Sequence, residues 1–218
     1  MRIGILGSGD VGQALSFGFL QHGHTVKIAS RTPDSDKLKA WQKKAGSEAS
    51  TGELPEVAAW AELLVLATDW SGTENALNMA GPHYFAGKVV IDVTNPLIFE
   101  AGQEPRLERG FSDSGAEQVQ RWLPEAKVVK AFNIVNNAYM VHPDFPGGPP
   151  DMFICGNDEA ARKTVFKICQ EFGWITTDLG QLKEARLLEP LCMLWTTYGL
   201  RTGTWNHAFK LLHTKTSE

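Results

Sequence analysis

The chain of 218 residues is short of several things. It has no run approaching the ~20 consecutive apolar residues that a membrane-crossing helix needs. It has only three cysteines, Cys155, Cys169 and Cys192, far apart and without a C-x-x-C pair. That argues against a disulfide framework or a structural zinc site and suits a reducing compartment. There is no surplus of positive charge: 21 basic residues face 25 acidic ones, a formal net charge of -4, so nothing recruits nucleic acid or an anionic membrane. Met1-Arg2 leads directly into apolar residues with no leader pattern, and a cytoplasmic location is expected. No nucleophile elbow or metal-ligand cluster is present, and no catalytic acid, base or nucleophile declares itself.

What is present is punctuation. Ile3–Leu6 read as a short buried strand, and 11–22 carry apolar residues at helical spacing up to Gly23. Further strands are predicted over 25–29, 62–68, 88–92 and 127–132, with 46–52 a weak one at best. Helices are predicted over 36–45, 54–60, 71–79 and 114–123, and Pro96–Asp113 reads as a long loop. After the break Pro143–Pro150, residues 152–177 supply one more β-α-β unit, and 182–212 read as a largely helical tail. Alternating strands and helices imply crossovers and a mostly parallel sheet. The expected fold is therefore α/β, a Rossmann-type doubly wound sheet with a short α-helical C-terminal extension. Residues 1–142 would form the dinucleotide-binding part and 151–218 a smaller α/β part packed on it, together one domain.

Gly7-Ser8-Gly9-Asp10-Val11-Gly12 follows the first strand and opens the first helix, the context that gives G-x-G-x-x-G meaning. Gly7 would permit the tight turn, Gly9 the approach of a pyrophosphate, and Gly12 close helix–strand packing. The helix N-terminus would add unpaired N–H groups. Where an NAD site carries a carboxylate at the end of the second strand, this chain has Ser30 and Arg31, with Lys37 nearby. A hydroxyl and a guanidinium favour a 2′-phosphate, hence NADP(H) over NAD. Thr68 and Trp70 follow the strand over 62–68; Asn95 and Pro96 follow that over 88–92; both loops should line the cofactor groove. Trp70 serves equally well as a cover for a ring or as a core residue. Asn133, Asn136 and Asn137 follow the strand over 127–132, where amides would meet a carboxamide or cap a helix.

These residues carry a family likeness. Gly7–Asp10, Ser30-Arg31, Asp92-Val93-Thr94-Asn95-Pro96 and Val128–Asn133 resemble the NADP-dependent deazaflavin (coenzyme F420) oxidoreductase family. They resemble even more the cytosolic reductase domain of the six-transmembrane epithelial antigen of prostate metalloreductases. Ile154–Asn157 and Asp178–Gly180 extend the likeness over nearly the whole chain. The resemblance implies hydride transfer between NADPH and a deazaflavin or a flavin such as FAD or FMN. It implies Ser8–Val11 on the pyrophosphate, Ser30 and Arg31 on the 2′-phosphate, and Trp70, Asn95 and Asn137 along the nicotinamide half. The segment Gly203–His207 would approach the second ring. Two alternatives remain: an NADP-dependent reductase of a small carbonyl or imine, and a non-enzymatic NADPH-binding regulator. The apolar tail around 191–198 points to a homodimer or to packing within one subunit.

Overall fold

The structure, a computed structural model, describes residues 1–214; the last four residues of the expected C-terminal part lie outside the described residues. The first half runs β1 (Arg2–Leu6), α1 (Asp10–Gln21), β2 (Thr25–Ala29), α2 (Asp36–Ala45), β3 (Ala49–Gly52), α3 (Leu54–Trp60), β4 (Leu63–Leu66), α4 (Trp70–Ala80) and β5 (Val89–Asp92). A two-stranded antiparallel hairpin follows, β6 (Leu97–Ile98) with β7 (Arg106–Leu107). The second half runs α5 (Gly115–Trp122), β8 (Lys127–Lys130), β9 (Asp151–Gly156), α6 (Glu159–Glu171), β10 (Ile175–Asp178) and α7 (Ala185–Thr202).

Eight strands form one sheet in the order β10-β9-β8-β5-β4-β1-β2-β3, parallel except where β8 meets β9. Its central strands are buried on both faces, and the strand period of two sorts their side chains. Ile3, Ile5, Leu63 and Val65 join one core with Leu15 and Phe19 of α1, Leu38 and Trp41 of α2, and Val165 and Ile168 of α6. Leu6, Leu64 and Leu66 point the other way, onto Val57 of α3, Leu77 of α4, Val119 of α5 and Leu188 of α7. This is the doubly wound architecture expected from the alternating pattern.

The weak strand is a true edge strand: β3 pairs in parallel with β2 through Val26–Ala49 to Ala29–Gly52. Two expectations need correction. The region 96–113 is not all loop, because the β6–β7 hairpin forms within it, closed by the Glu108 N–H donating to the Pro96 carbonyl. The tail is not helical to 212: α7 stops at Thr202, where Gly203 adopts φ +68 and returns its N–H to the Gly199 carbonyl. Beyond it the chain folds back, and the Phe209 carbonyl accepts the Asp151 N–H at 3.0 Å at the head of β9. Among the described residues no helix is long and apolar enough to cross a membrane.

Candidate nucleotide groove

Strand order reverses between β1 and β4: the chain winds to β2 and β3 on one side and to β5 and β8 on the other. A crevice opens at such a switch point, outside the carboxyl ends of the strands. Here a cavity of about 460 Å³ is lined by Gly7, Ser8 and Gly9 after β1, Ser30 and Arg31 after β2, Thr68 and Asp69 after β4, and one face of α4. An adjoining recess of about 180 Å³ shares Thr68 and Asp69 and adds Val11, Trp70, Thr94, Asn95 and Phe99.

The glycine loop has the shape its sequence suggests. Gly7 sits at φ +127, and a Cβ there would overlap the Ala67 carbonyl. A Cβ on Gly12 would overlap the Gly7 carbonyl, so this glycine lets α1 lie against the loop. A Cβ on Gly9 would meet nothing within 4 Å, because Gly9 faces the open cavity. Asp10, Val11 and Gly12 open α1, and a first turn leaves its N–H groups without helical partners. The Ser8 carbonyl is turned away and accepts from the Gln13 side chain at 3.0 Å. At the end of β2 the Ser30 hydroxyl accepts the Thr32 N–H at 3.1 Å, and exposed Arg31 has no ion-pair partner among the described residues. The one carboxylate in the cavity wall is Asp69, which caps α4 through the Ser71 N–H at 3.3 Å.

Gly7, Ser8, Gly9, Ser30, Arg31 and Thr68 thus come together around the larger cavity, and Val11, Trp70 and Asn95 around the recess. The other expected residues line neither. Gly12 lies behind the loop, and Asp10 and Lys37 pair with each other at 3.0 Å. Pro96 is buried, its Cδ close to Gly115 beside Trp70. Asn137 belongs to a short 3-10 turn at 137–139. His207 is held on α7, its Nε2 3.0 Å from the Trp195 carbonyl and its ring stacked on the Trp195 indole at 4.8 Å. Trp70 is 7% exposed and donates its Nε1–H to Glu108 at 2.6 Å, so the residue after β7 holds its indole at the rim of the recess.

Behind the recess lies a polar cluster that sequence reasoning missed. Lys130, fully buried at the end of β8, meets Asp92 at 3.0 Å and Glu189 of α7 at 3.1 Å, and donates to the Thr94 carbonyl. Burial alone would push the Lys130 ammonium down; the two carboxylates outweigh it and hold its pKa above the usual lysine value. Burial raises the Glu189 carboxyl, opposed by Lys130 and by the backbone N–H groups of Gly115 and Ala116 at 2.8 and 3.0 Å. Both Glu189 oxygens accept from donors at the N-terminus of α5, the hydrogen-bond pattern of an ionised carboxylate. The available signal was a lysine among Val128, Val129, Ala131 and Phe132, and a glutamate among Leu187, Leu188 and Leu191. Charges in such runs are buried only when paired. The cysteines take no part: all three are buried and unpaired, with burial pushing Cys155 to about 12 and Cys192 to about 11. None is a thiolate at neutral pH.

A family model for coenzyme F420-dependent NADP oxidoreductases matches residues 2–96, the stretch that carries the glycine loop and both cavities' first walls. The F420-dependent NADP reductase of Methanocaldococcus jannaschii is 30% identical over 204 residues, 89% of this chain and 90% of that protein. The chain belongs to this family of NADP-linked oxidoreductases. Metalloreductase STEAP3 of Rattus norvegicus is 28% identical over 193 residues, 87% of this chain, but the chain spans only 36% of that protein. Among solved structures, one from Arthrobacter sp. FB24, provisionally described as an F420-dependent NADP-reductase, superimposes with a TM-score of 0.92 at 36% identity. The superposition covers 98% of this chain and 100% of that one.

Proposed function

We propose that the chain is an NADPH-dependent oxidoreductase that passes a hydride between NADP(H) and a deazaflavin of the coenzyme F420 type, with a flavin as the nearest substitute. The observation that carries the cofactor choice is Arg31: an exposed guanidinium, without an ion-pair partner among the described residues, in the cavity wall beyond β2 where no carboxylate stands. The residues fit the nucleotide. Gly9 leaves open space against the first turn of α1, and Ser30 and Arg31 supply a hydroxyl and a guanidinium for a 2′-phosphate. When bound, NADPH supplies a hydride, two electrons with one proton, from its reduced nicotinamide. The chain's own work is to bind the phosphates, to orient the far end toward the recess beside Asn95 and to exclude water there.

Among the described residues that line the groove, the titratable ones are Arg31 and Asp69, the latter an α4 cap. Hydride uptake by a deazaflavin or flavin leaves a delocalised ring anion that takes its proton from solvent, whereas the localised anion formed on reducing a carbonyl or imine needs a proton donor beside it. That favours a cofactor as acceptor over a small substrate. The test follows NADPH oxidation with coenzyme F420, FAD, FMN and riboflavin as acceptors and NADH as the control donor. Turnover with a ring system and preference for NADPH are expected. NADPH binding without turnover on any acceptor would move the protein to the regulator or small-substrate reading. Arg31→Ala should weaken NADPH binding about 10- to 100-fold, as loss of a charge-assisted phosphate contact does, and leave NADH binding unchanged. An equal effect on both nucleotides would refute the assignment of Arg31.

The same reading includes a homodimer. Leu187, Leu194 and Tyr198 stand 63%, 59% and 53% exposed on α7, with half-buried Leu191 between them, an apolar stripe at helical spacing. Sedimentation at micromolar concentration is expected to give a dimer for the wild type and a monomer for Leu194→Glu. A monomeric wild type would end the idea.

A further inference from the structure

We propose that Asp92, Lys130 and Glu189 form a positioning cluster that sets the amide wall beside the smaller recess. It rests on the reading that the nicotinamide end of NADP(H) is oriented toward that recess. The cluster reaches the groove through Thr94, which it grips at three points. Asp92 Oδ1 accepts the Thr94 N–H at 3.0 Å and the Thr94 hydroxyl at 2.7 Å, and Lys130 Nζ donates to the Thr94 carbonyl. Asn95, the next residue, is locked in turn: its Nδ2 donates to the Asn133 carbonyl at 2.9 Å, and Asn133 Nδ2 donates to Asn95 Oδ1 at 3.0 Å.

Asn133 Nδ2 also donates to the Leu188 carbonyl at 3.0 Å, one residue before Glu189. Three elements meet here: the loop after β5, the loop after β8, and α7. The backbone at the join is strained, with Phe132 at φ 57, a conformation that side-chain-bearing residues hold only when their surroundings impose it. Asn133 Oδ1 is buried and has no hydrogen-bond partner among the described residues. A buried ionic triad is a poor way to stabilise a core, since apolar residues of the same volume do as well or better. Its use here is geometric: it fixes the direction of two amides that local structure would leave free to rotate.

The experiment separates positioning from stability without needing the acceptor. Calorimetric titration compares NADPH with 2′-phospho-ADP-ribose, which lacks the nicotinamide, on wild type, Glu189→Gln and Asp92→Asn. The wild type should bind NADPH the more tightly. Both variants should bind 2′-phospho-ADP-ribose within about twofold of wild type while losing about tenfold of the NADPH advantage, the worth of a misdirected hydrogen bond. Should either variant fail to fold, Thr94→Val cuts the Asp92 hydroxyl link with the ion cluster intact and should show the same loss. Variants that lose thermal stability but keep the wild-type ratio of the two affinities overturn the proposal. A wild type that binds the two ligands equally, or neither, overturns the functional reading itself and this inference with it.

Discussion

Lys130→Met is expected to lower folding stability by about 3–5 kcal/mol, the cost of leaving buried charges without their partner. Methionine replaces the length and most of the volume of the side chain, so little of the effect comes from a cavity. What it removes is the one cation that, among the described residues, pairs with Asp92 and Glu189, whose side chains are 0% and 1% exposed. The amides of Gly115 and Ala116 hold Glu189 but do not reach Asp92, whose remaining partners are the Thr94 N–H and hydroxyl. Marginal domains have about 5–15 kcal/mol in total, so the urea midpoint should fall steeply.

The pH dependence has a definite sign. In the variant Glu189 keeps the burial that raises its carboxyl and loses the Lys130 charge that opposed it, so its folded-state pKa stands above the unfolded one and the folded state binds more protons. Stability then falls as pH rises through the unfolded carboxylate range, and acidification narrows the gap to wild type. Lys163→Met is the control: Lys163 pairs with Glu159 at 2.6 Å, but both side chains are about 70% exposed, and its loss should cost a few tenths of a kcal/mol. Equal midpoints for the two variants would show that the burial of Asp92 and Glu189 does not depend on Lys130.

Gly7→Ala and Gly9→Ala should separate folding from binding within a single loop. At Gly7 two obstacles coincide: φ of +127, and a Cβ overlapping the Ala67 backbone. Alanine can relieve neither without moving β1 from β4, and a loss of about 2–3 kcal/mol is expected together with loss of nucleotide binding. At Gly9 the backbone is extended, φ -72 and ψ -177, and the Cβ enters empty space. Gly9→Ala should therefore unfold within about 0.5 kcal/mol of wild type. Its methyl group projects from the wall of the larger cavity, so NADPH affinity should fall at least about tenfold, read by fluorescence titration. Unchanged NADPH affinity in a folded Gly9→Ala protein would remove the pyrophosphate from this loop.

Much of this was legible because it is local. The bounds of β2, α2 and α3 follow from apolar spacing and flanking glycine, proline and serine, signals that act within a few residues. The glycine loop was legible for the same reason: a chain that must turn at positive φ and pack a helix on a strand needs glycine at those spacings. The place of Ser30 and Arg31 in the cavity wall was legible too, since they sit at the end of a strand whose end the sequence marks. The β6–β7 hairpin was not. Its strands are two residues each, too short for alternation, and contacts with Trp70 and the Pro96 carbonyl secure it.

The amino-acid sequence by itself determined the alternation of strand and helix, the parallel sheet that follows from it, and the glycine turn between β1 and α1. These depend on periodicity and backbone freedom, which each short segment carries whole. Tertiary structure alone decided which chemistry-bearing residues meet. It drew Trp70 to Glu108, Lys37 to Asp10 and His207 to Trp195, and brought Asn95 to Asn133 and Lys130 to Asp92 and Glu189. The physical reason is desolvation. A buried charge or amide is tolerated only where a partner arrives from another element, and that partner is set by how strands and helices stack, not by the residues beside it in the chain.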